Sequence, residues 1–555
     1  MKLLSFSQFL LPVYVGVEAT TSSAPSPTAV LDSGPIVGLT TSLPAGIAPV
    51  NKFLGIPYAA RPERFNRAKK PEPWTRPFNA SEFGASCRQL FVESELAPEL
   101  ELLKGLFNTA SRESEDCLFI NAFAPTSPQP PEGRPVVLFI SGGGWQQGNG
   151  EADMSGFAAY EDTVAFTFNY RTNGKPTLRP RCWANSKVFG FPNSPDIPLE
   201  EINLGLYDQR LAIEWVQANA RAFGGDPAKV TIWGESAGSL SVDIHVNAYA
   251  SSPPFRAAMM FSGQMSIGYL GSTANPQDTS YWDNLTTVVG CQSSKDQLQC
   301  MRAVPEDDLV EAMSTAGSAF LPVTDNVTIP SGRAERWRQG EVAKVPILTG
   351  TIAQEGRGLI NRNISIDTFF AAYLSEPLVS RKKQEMILKV YENDPRLETD
   401  FDVAAAIYTD FTWQCPQAIH ANLSASINPT WRFYFNISMT SLLGEKYAWL
   451  EKFHGSDVFL LFSMPTFENN TFLSPQLYTF ANYLRGVVGR FVRNPDVGPG
   501  WPAIGSRYTP FDVANLGDVG EENAAGATVV DETILDERCK LYEAIYPVIE
   551  KYVLS

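Results

Sequence analysis

Histidine is scarce in this chain, with three among 555 residues. No His, Cys or carboxylate groups recur at ligand spacing, so neither a catalytic metal nor another cofactor is expected. Any chemistry that needs an imidazole must draw on His245, His420 or His454. Basic charge is also short. Lys and Arg total 44 against 60 Asp and Glu, a net charge of −16, which disfavours nucleic acid and anionic membrane surfaces as partners. Solubility accounts for the excess acid. Beyond the first residues no apolar run reaches the roughly 18 residues of a spanning helix, and the C-terminus has no hydrophobic anchor tail, so no stable membrane anchor is expected.

What is present is a chain able to fill a large core, 44% hydrophobic and 12% aromatic, which excludes a disordered polymer. Residues 1–19 have the features of a secretory signal peptide: Lys2 is the only early charge, Leu3 to Val17 is mostly apolar, and Val17-Glu18-Ala19 supplies small residues for cleavage. Residues 20–29, rich in Ser, Thr and Pro, are expected as a flexible lead-in, and structure is expected from about Val30. Export agrees with the N-x-S/T acceptors at Asn79, Asn284, Asn326, Asn363, Asn422, Asn436 and Asn469. In an oxidising compartment most of the seven cysteines should pair.

The chain's organising feature is Val230-Thr231-Ile232-Trp233-Gly234-Glu235-Ser236-Ala237-Gly238, an apolar run that stops at a serine with a glycine two residues to either side. A strand that turns at once into a helix needs glycine at both flanking positions for the backbones to approach. Ser236 then projects from the corner as the expected nucleophile, and the Ala237 N–H lies at a helix N-terminus, where partial positive charge gathers. Upstream, Val136 to Ile140 and Val164 to Asn169 read as buried strands. The first runs into Ser141-Gly142-Gly143-Gly144-Trp145, where consecutive glycines let N–H groups crowd around an anion. A phosphate loop is the rival reading, and the absence of a following Gly-Lys-Ser/Thr argues against it. Leu211, Trp215, Ala218 and Ala222 trace a helix face that ends at Gly224-Gly225.

Several blocks together resemble the type-B carboxylesterase/lipase family, which includes cholinesterases and secreted fungal lipases. They are Val50 to Ala59 with Arg64-Phe65 and Pro73-Trp74, Glu115 to Asn121, the three glycines, the serine corner, Gln354-Glu355-Gly356 and Phe453-His454-Gly455-Ser456-Asp457. The resemblance spans nearly the whole mature chain. It implies an α/β fold of the α/β-hydrolase type, a large central mixed, mostly parallel sheet flanked by helices, with residues 30–555 as one catalytic domain. It further implies Ser236, Glu355 and His454 as a triad, Gly143 and Gly144 joining Ala237 as oxyanion donors, and disulfides Cys87–Cys117, Cys291–Cys300 and Cys415–Cys539. A small-molecule or lipid ester is the implied substrate. His245 and His420 are expected as packed residues and Asp457 as structural.

Three points stay open. The Cys87–Cys117 loop carries Leu96, Leu100, Leu103 and Phe107 at helical spacing, so it is either a lipase lid or a helix docked on the core. It lacks the tryptophan that cholinesterases use there to hold a quaternary ammonium, which argues against choline esters. Residues 174–187, basic and carrying the unpaired Cys182, interrupt the family pattern between Asn173 and Val188, and are either a retained intron or an exposed loop. Finally, some relatives keep the scaffold for adhesion alone, but those lose triad residues that this chain has.

Overall fold

Apolar runs without alternation suit strands covered on both faces. In the computed structural model Val136–Ile140 and Val164–Phe168 are such strands, buried along their length. The structure describes residues 26–89, 112–172, 188–316, 320–376, 378–462, 474–505, 512–517 and 526–552. The expected signal peptide, most of the disulfide-closed loop with its four apolar residues, the insert at 174–187 and Asn469 lie outside the described residues.

The strands in chain order are β1 (Thr28–Val30), β2 (Pro35–Val37), β3 (Leu39–Thr41), β4 (Val50–Pro57), β5 (Phe78–Asn79), β6 (Phe119–Pro125), β7 (Arg134–Ile140), β8 (Val164–Phe168), β9 (Gly225–Glu235), β10 (Ala257–Phe261), β11 (Ile347–Ile352), β12 (Thr430–Phe435), β13 (Asp512–Leu516) and β14 (Ala527–Asp531). β1, β2 and β5 form a small sheet, and the other eleven form one large sheet in the order β3-β4-β6-β8-β7-β9-β10-β11-β12-β13-β14. From β8 to β13 every pairing is parallel, while the edges are antiparallel. The sheet is therefore the mixed, mostly parallel one that the resemblance implies.

The order β8-β7-β9 matters most for function. The chain steps from β7 one way to β8, then crosses to the other side of β7 to form β9 and continues outward. This reversal opens a crevice beyond the carboxyl ends of β7 and β9, the place where ligands bind in open α/β sheets. The glycine loop follows β7 and Ser236 follows β9.

Alternation along β7 splits the core between the two faces. Val136, Leu138 and Ile140 pack with the helices Leu204–Asn219 and Ala237–Ala248, and Val137 and Phe139 pack with the helices Ser155–Glu161 and Pro475–Arg493. Both layers hold the strand ends rigidly.

Two details differ from expectation. β1 begins at Thr28 and Ala29 is buried, because this segment pairs with β2 instead of remaining a free lead-in. On the helix Leu204–Asn219 the inward face is Ala212, Ile213, Trp215, Val216 and Asn219, whereas Ala218 and Ala222 are exposed. Their small apolar side chains carry too little signal to fix the face. The helix passes through a 3₁₀ turn and is capped by Gly224 at φ 82°.

All three implied disulfides close, Cys87–Cys117, Cys291–Cys300 and Cys415–Cys539. Among the glycosylation acceptors, Asn79, Asn284, Asn326 and Asn363 are exposed. Asn422 is partly buried and donates to the Glu532 carboxylate at 3.1 Å. Asn436 departs from the expected surface position: it is buried just past β12, where its side-chain oxygen accepts from Lys452 Nζ at 2.8 Å. No described helix is long and apolar enough to cross a membrane.

Candidate active site

β9 ends at Glu235, and Ser236 takes φ 55° and ψ −124° before the helix Ala237–Ala248 begins. Two backbone bonds hold the corner: Ser236 N–H donates to Phe261 O at 3.0 Å, and Leu240 N–H donates to Ser236 O at 2.9 Å. The flanking glycines are sterically required. A Cβ on Gly234 would lie 2.2 Å from the Gly238 carbonyl, and one on Gly238 would lie 2.0 Å from Ile140 O.

The glycine loop lies against this corner. A Cβ on Gly142 would lie 2.6 Å from Glu235 O and 2.9 Å from Ser236 Cβ. Gly143 and Gly144 have φ of 95° and 64°, and the buried Trp145 follows at φ 58°. The loop turns tightly, with Gln146 and Gln147 N–H groups donating to Gly143 O at 3.0 and 3.1 Å.

β11 delivers the acid. Glu355 opens a 3₁₀ turn just beyond the strand and is fully buried. One carboxylate oxygen accepts from Ile352 N–H at 2.8 Å, and the other is 2.6 Å from His454 Nδ1. A carboxylate can only accept, so Nδ1 carries a proton and Nε2 is the nitrogen left to exchange one. Gly455, at φ 83°, turns the chain sharply behind His454 into the helix Ser456–Leu461. Nε2 sits 3.4 Å from Glu235 Oε1, next to the serine corner, with no hydrogen-bond partner among the described residues. The structure thus brings His454 and Glu355 into contact and sets the imidazole beside the residue that precedes Ser236.

The other histidines are elsewhere. His245 is buried with Nε2 3.0 Å from Gln209 Oε1. His420 is buried in the helix Cys415–Ala425, 3.4 Å from Asp243 and edge-on to Trp337.

The carboxylesterase-family model matches residues 25–511. The chain belongs to the carboxylesterase family. It is accordingly a carboxylic ester hydrolase built on the α/β-hydrolase fold. Lipase 2 of Diutina rugosa is 33% identical over 511 residues, covering 83% of this chain and 88% of that protein. Secreted lipase 1 of Botryotinia fuckeliana is 30% identical, covering 75% and 78%. Chlorogenic acid esterase of Aspergillus niger is 36% identical, covering 58% and 60%.

Two groups in this carboxylesterase site escape sequence reasoning. The first is Glu235, which joins Glu355 and Asp457 in a set of carboxyls around the imidazole. Burial raises the Glu235 carboxyl and Asp457 and Glu355 add to the rise, so that against the opposing pull of His454 it stands at about 8. Burial likewise lifts Asp457 to about 7, with Glu355 adding to the rise. His454 responds in the opposite sense. Burial alone would lower it, but Glu235, Glu355 and Asp457 outweigh that and raise it to about 9. Glu235 lies inside the serine motif itself, so its position was a usable signal, although only the fold shows that it faces His454. The second group is Trp413, whose ring centroid is 4.3 Å from that of His454. It belongs to a π-helical stretch, Thr409–Gln414, that no local pattern announces.

Proposed function

We propose that this chain is a secreted serine esterase using Ser236, His454 and Glu355. His454 Nε2 takes the hydroxyl proton as Ser236 Oγ bonds to the ester carbonyl carbon. The N–H groups of Gly143, Gly144 and Ala237 hold the tetrahedral oxyanion, and its collapse expels the alcohol, protonated by His454. Water then gives a proton to His454, attacks the acyl-enzyme, and releases the acid and the free serine.

The observation that carries this reading is the 2.6 Å contact between His454 Nδ1 and Glu355, with Nε2 left beside the corner that presents Ser236. Turnover of a p-nitrophenyl ester tests it. Ser236→Ala should lose at least about a thousandfold in kcat, and a rate equal to wild type overturns the assignment.

The names of two relatives favour triacylglycerol lipase activity as a second reading, with the 87–117 loop as lid. A steep rise in rate once the substrate forms an emulsion would support it, and a smooth saturation curve would support a short-chain esterase. Export by the leader at 1–19 and glycosylation at the four exposed asparagines complete the proposal. Edman sequencing of the mature protein should begin just after Ala19. Residues 30–555 are proposed as a single catalytic domain.

A further inference from the structure

The three proposed oxyanion donors come from two separate elements. Gly143 and Gly144 sit on a loop of consecutive glycines, which has more backbone freedom than any other sequence would give it. Ala237 opens the helix after the serine corner. For the site to work, the two halves must keep a fixed spacing, since misplacement by about 1 Å can cost about a hundredfold in rate.

One hydroxyl joins them. Ser241, fully buried on the helix Ala237–Ala248, accepts from Trp145 Nε1 at 2.8 Å and donates to Ala237 O at 2.9 Å. Trp145 is the first residue after the glycines with a side chain, and its φ of 58° is one that L-residues rarely hold unless something fixes them there. Gln209 Nε2 supplies a third bond to Ser241 Oγ at 3.1 Å. A serine hydroxyl has one proton and two lone pairs, so Ser241 is saturated and its rotor has a single setting.

The direction of every bond is fixed from behind. Gln209 Oε1 faces His245 Nε2 at 3.0 Å, and His245 is held neutral because burial, with Arg210 adding, pushes it down to about 3. His245 Nδ1 has no hydrogen-bond partner among the described residues, so the neutral ring's one proton goes to Nε2, where Gln209 Oε1 accepts it and the amide presents its NH₂ to Ser241. These four side chains are buried.

We propose that Ser241 is a positioning residue that locks the glycine loop to the nucleophile helix and so sets the geometry of the oxyanion site. The inference rests on the reading of Gly143, Gly144 and Ala237 as oxyanion donors.

The test compares wild type with Ser241→Ala, Trp145→Phe and the double variant in the full-length secreted protein. Readouts are kcat and KM on p-nitrophenyl butyrate, inhibition by an alkyl trifluoromethyl ketone, whose adduct carries the oxyanion, and the melting temperature. Each single variant should lower kcat about 10- to 100-fold with KM within about threefold. The ketone's inhibition constant should rise in step, and the double variant should lose no more than the worse single one. Should Ser241→Ala not fold, Trp145→Phe carries the same test, since it removes the N–H and keeps an aromatic ring. A folded single variant with wild-type kcat, or losses that multiply in the double variant, overturns the proposal. Ser236→Ala separates the two levels. If it is inactive while Ser241→Ala is fully active, only the lock is wrong; if it is fully active, both readings fall.

Discussion

At the scale of single residues, the serine corner stores strain and the imidazole stores charge. Ser236 holds φ 55°, a conformation that costs a non-glycine residue about 1–3 kcal/mol and survives only when its surroundings dictate it. Gly234 is part of that dictation: the 2.2 Å clash awaiting a Cβ there leaves no room for backbone to shift. Gly234→Ala should therefore abolish recovery of folded enzyme, or leave protein with under about 1% of wild-type activity; normal yield with normal turnover would contradict this steric account. Charge makes a second prediction. In the proposed mechanism His454 must lose its proton before Nε2 can accept another, and neighbouring carboxyls hold that proton on up to about pH 9. Glu235 is the largest charge acting in that direction. Glu235→Gln should move the rising limb of the kcat/KM profile to lower pH, and a shift upward or no shift would count against it.

At the scale of elements, the site depends on how a few segments are fastened. The π-helical stretch before Cys415 does two jobs, because Thr409 Oγ1 accepts from Gly356 N–H beside Glu355 while Trp413 covers the His454 ring. π-helical turns cost backbone regularity and occur frequently at functional sites. Directly behind it, Cys415 on its helix joins Cys539 in the turn Glu537–Leu541, across a separation of 124 residues. Cys291–Cys300 spans only 9. Loop-closure entropy then predicts about 5 kcal/mol for losing the first bridge and about 2.5 kcal/mol for the second. Paired Cys→Ser variants compared by thermal melting should fall in that order, and the reverse order would reject the entropic explanation.

At the scale of the whole molecule, elements far apart in the chain meet around one buried acid. Asp243, on the helix Ala237–Ala248, accepts from Met265 N–H and Ser266 Oγ at 2.7 Å, Trp337 Nε1 at 3.0 Å and Asn247 Nδ2 at 3.1 Å, with His420 at 3.4 Å. Burial would raise its carboxyl, but His420 and these donors together bring it below the ordinary value of 3.8. A depressed pKa means stability that is complete above the unfolded-state value and lost as pH falls through the folded-state one, so this contribution fades below about pH 4. Asp243→Asn should cost about 2–4 kcal/mol at pH 7 by urea unfolding, with the gap to wild type narrowing as pH drops under 4. A gap independent of pH would mean that the carboxylate's charge contributes nothing.

By itself the sequence determined what short-range sterics and burial dictate. The serine corner was legible because a strand that turns at once into a helix demands Gly234 and Gly238 locally, and the inner strands were legible because an apolar run without alternation has no solvent face to serve. The cysteine pairs and the partners Glu355 and His454 came from motifs shared with a family, not from any local rule. Helix faces marked only by alanine were misread, since Ala218 and Ala222 point outward. Tertiary structure alone decided which groups surround the imidazole and what pins the glycine loop. Glu235 facing His454, Trp413 covering it, and Ser241 bound to a tryptophan 96 residues away all follow from the strand order β8-β7-β9 and its register. That order is the outcome of many weak long-range contacts at once, and no window of sequence contains it.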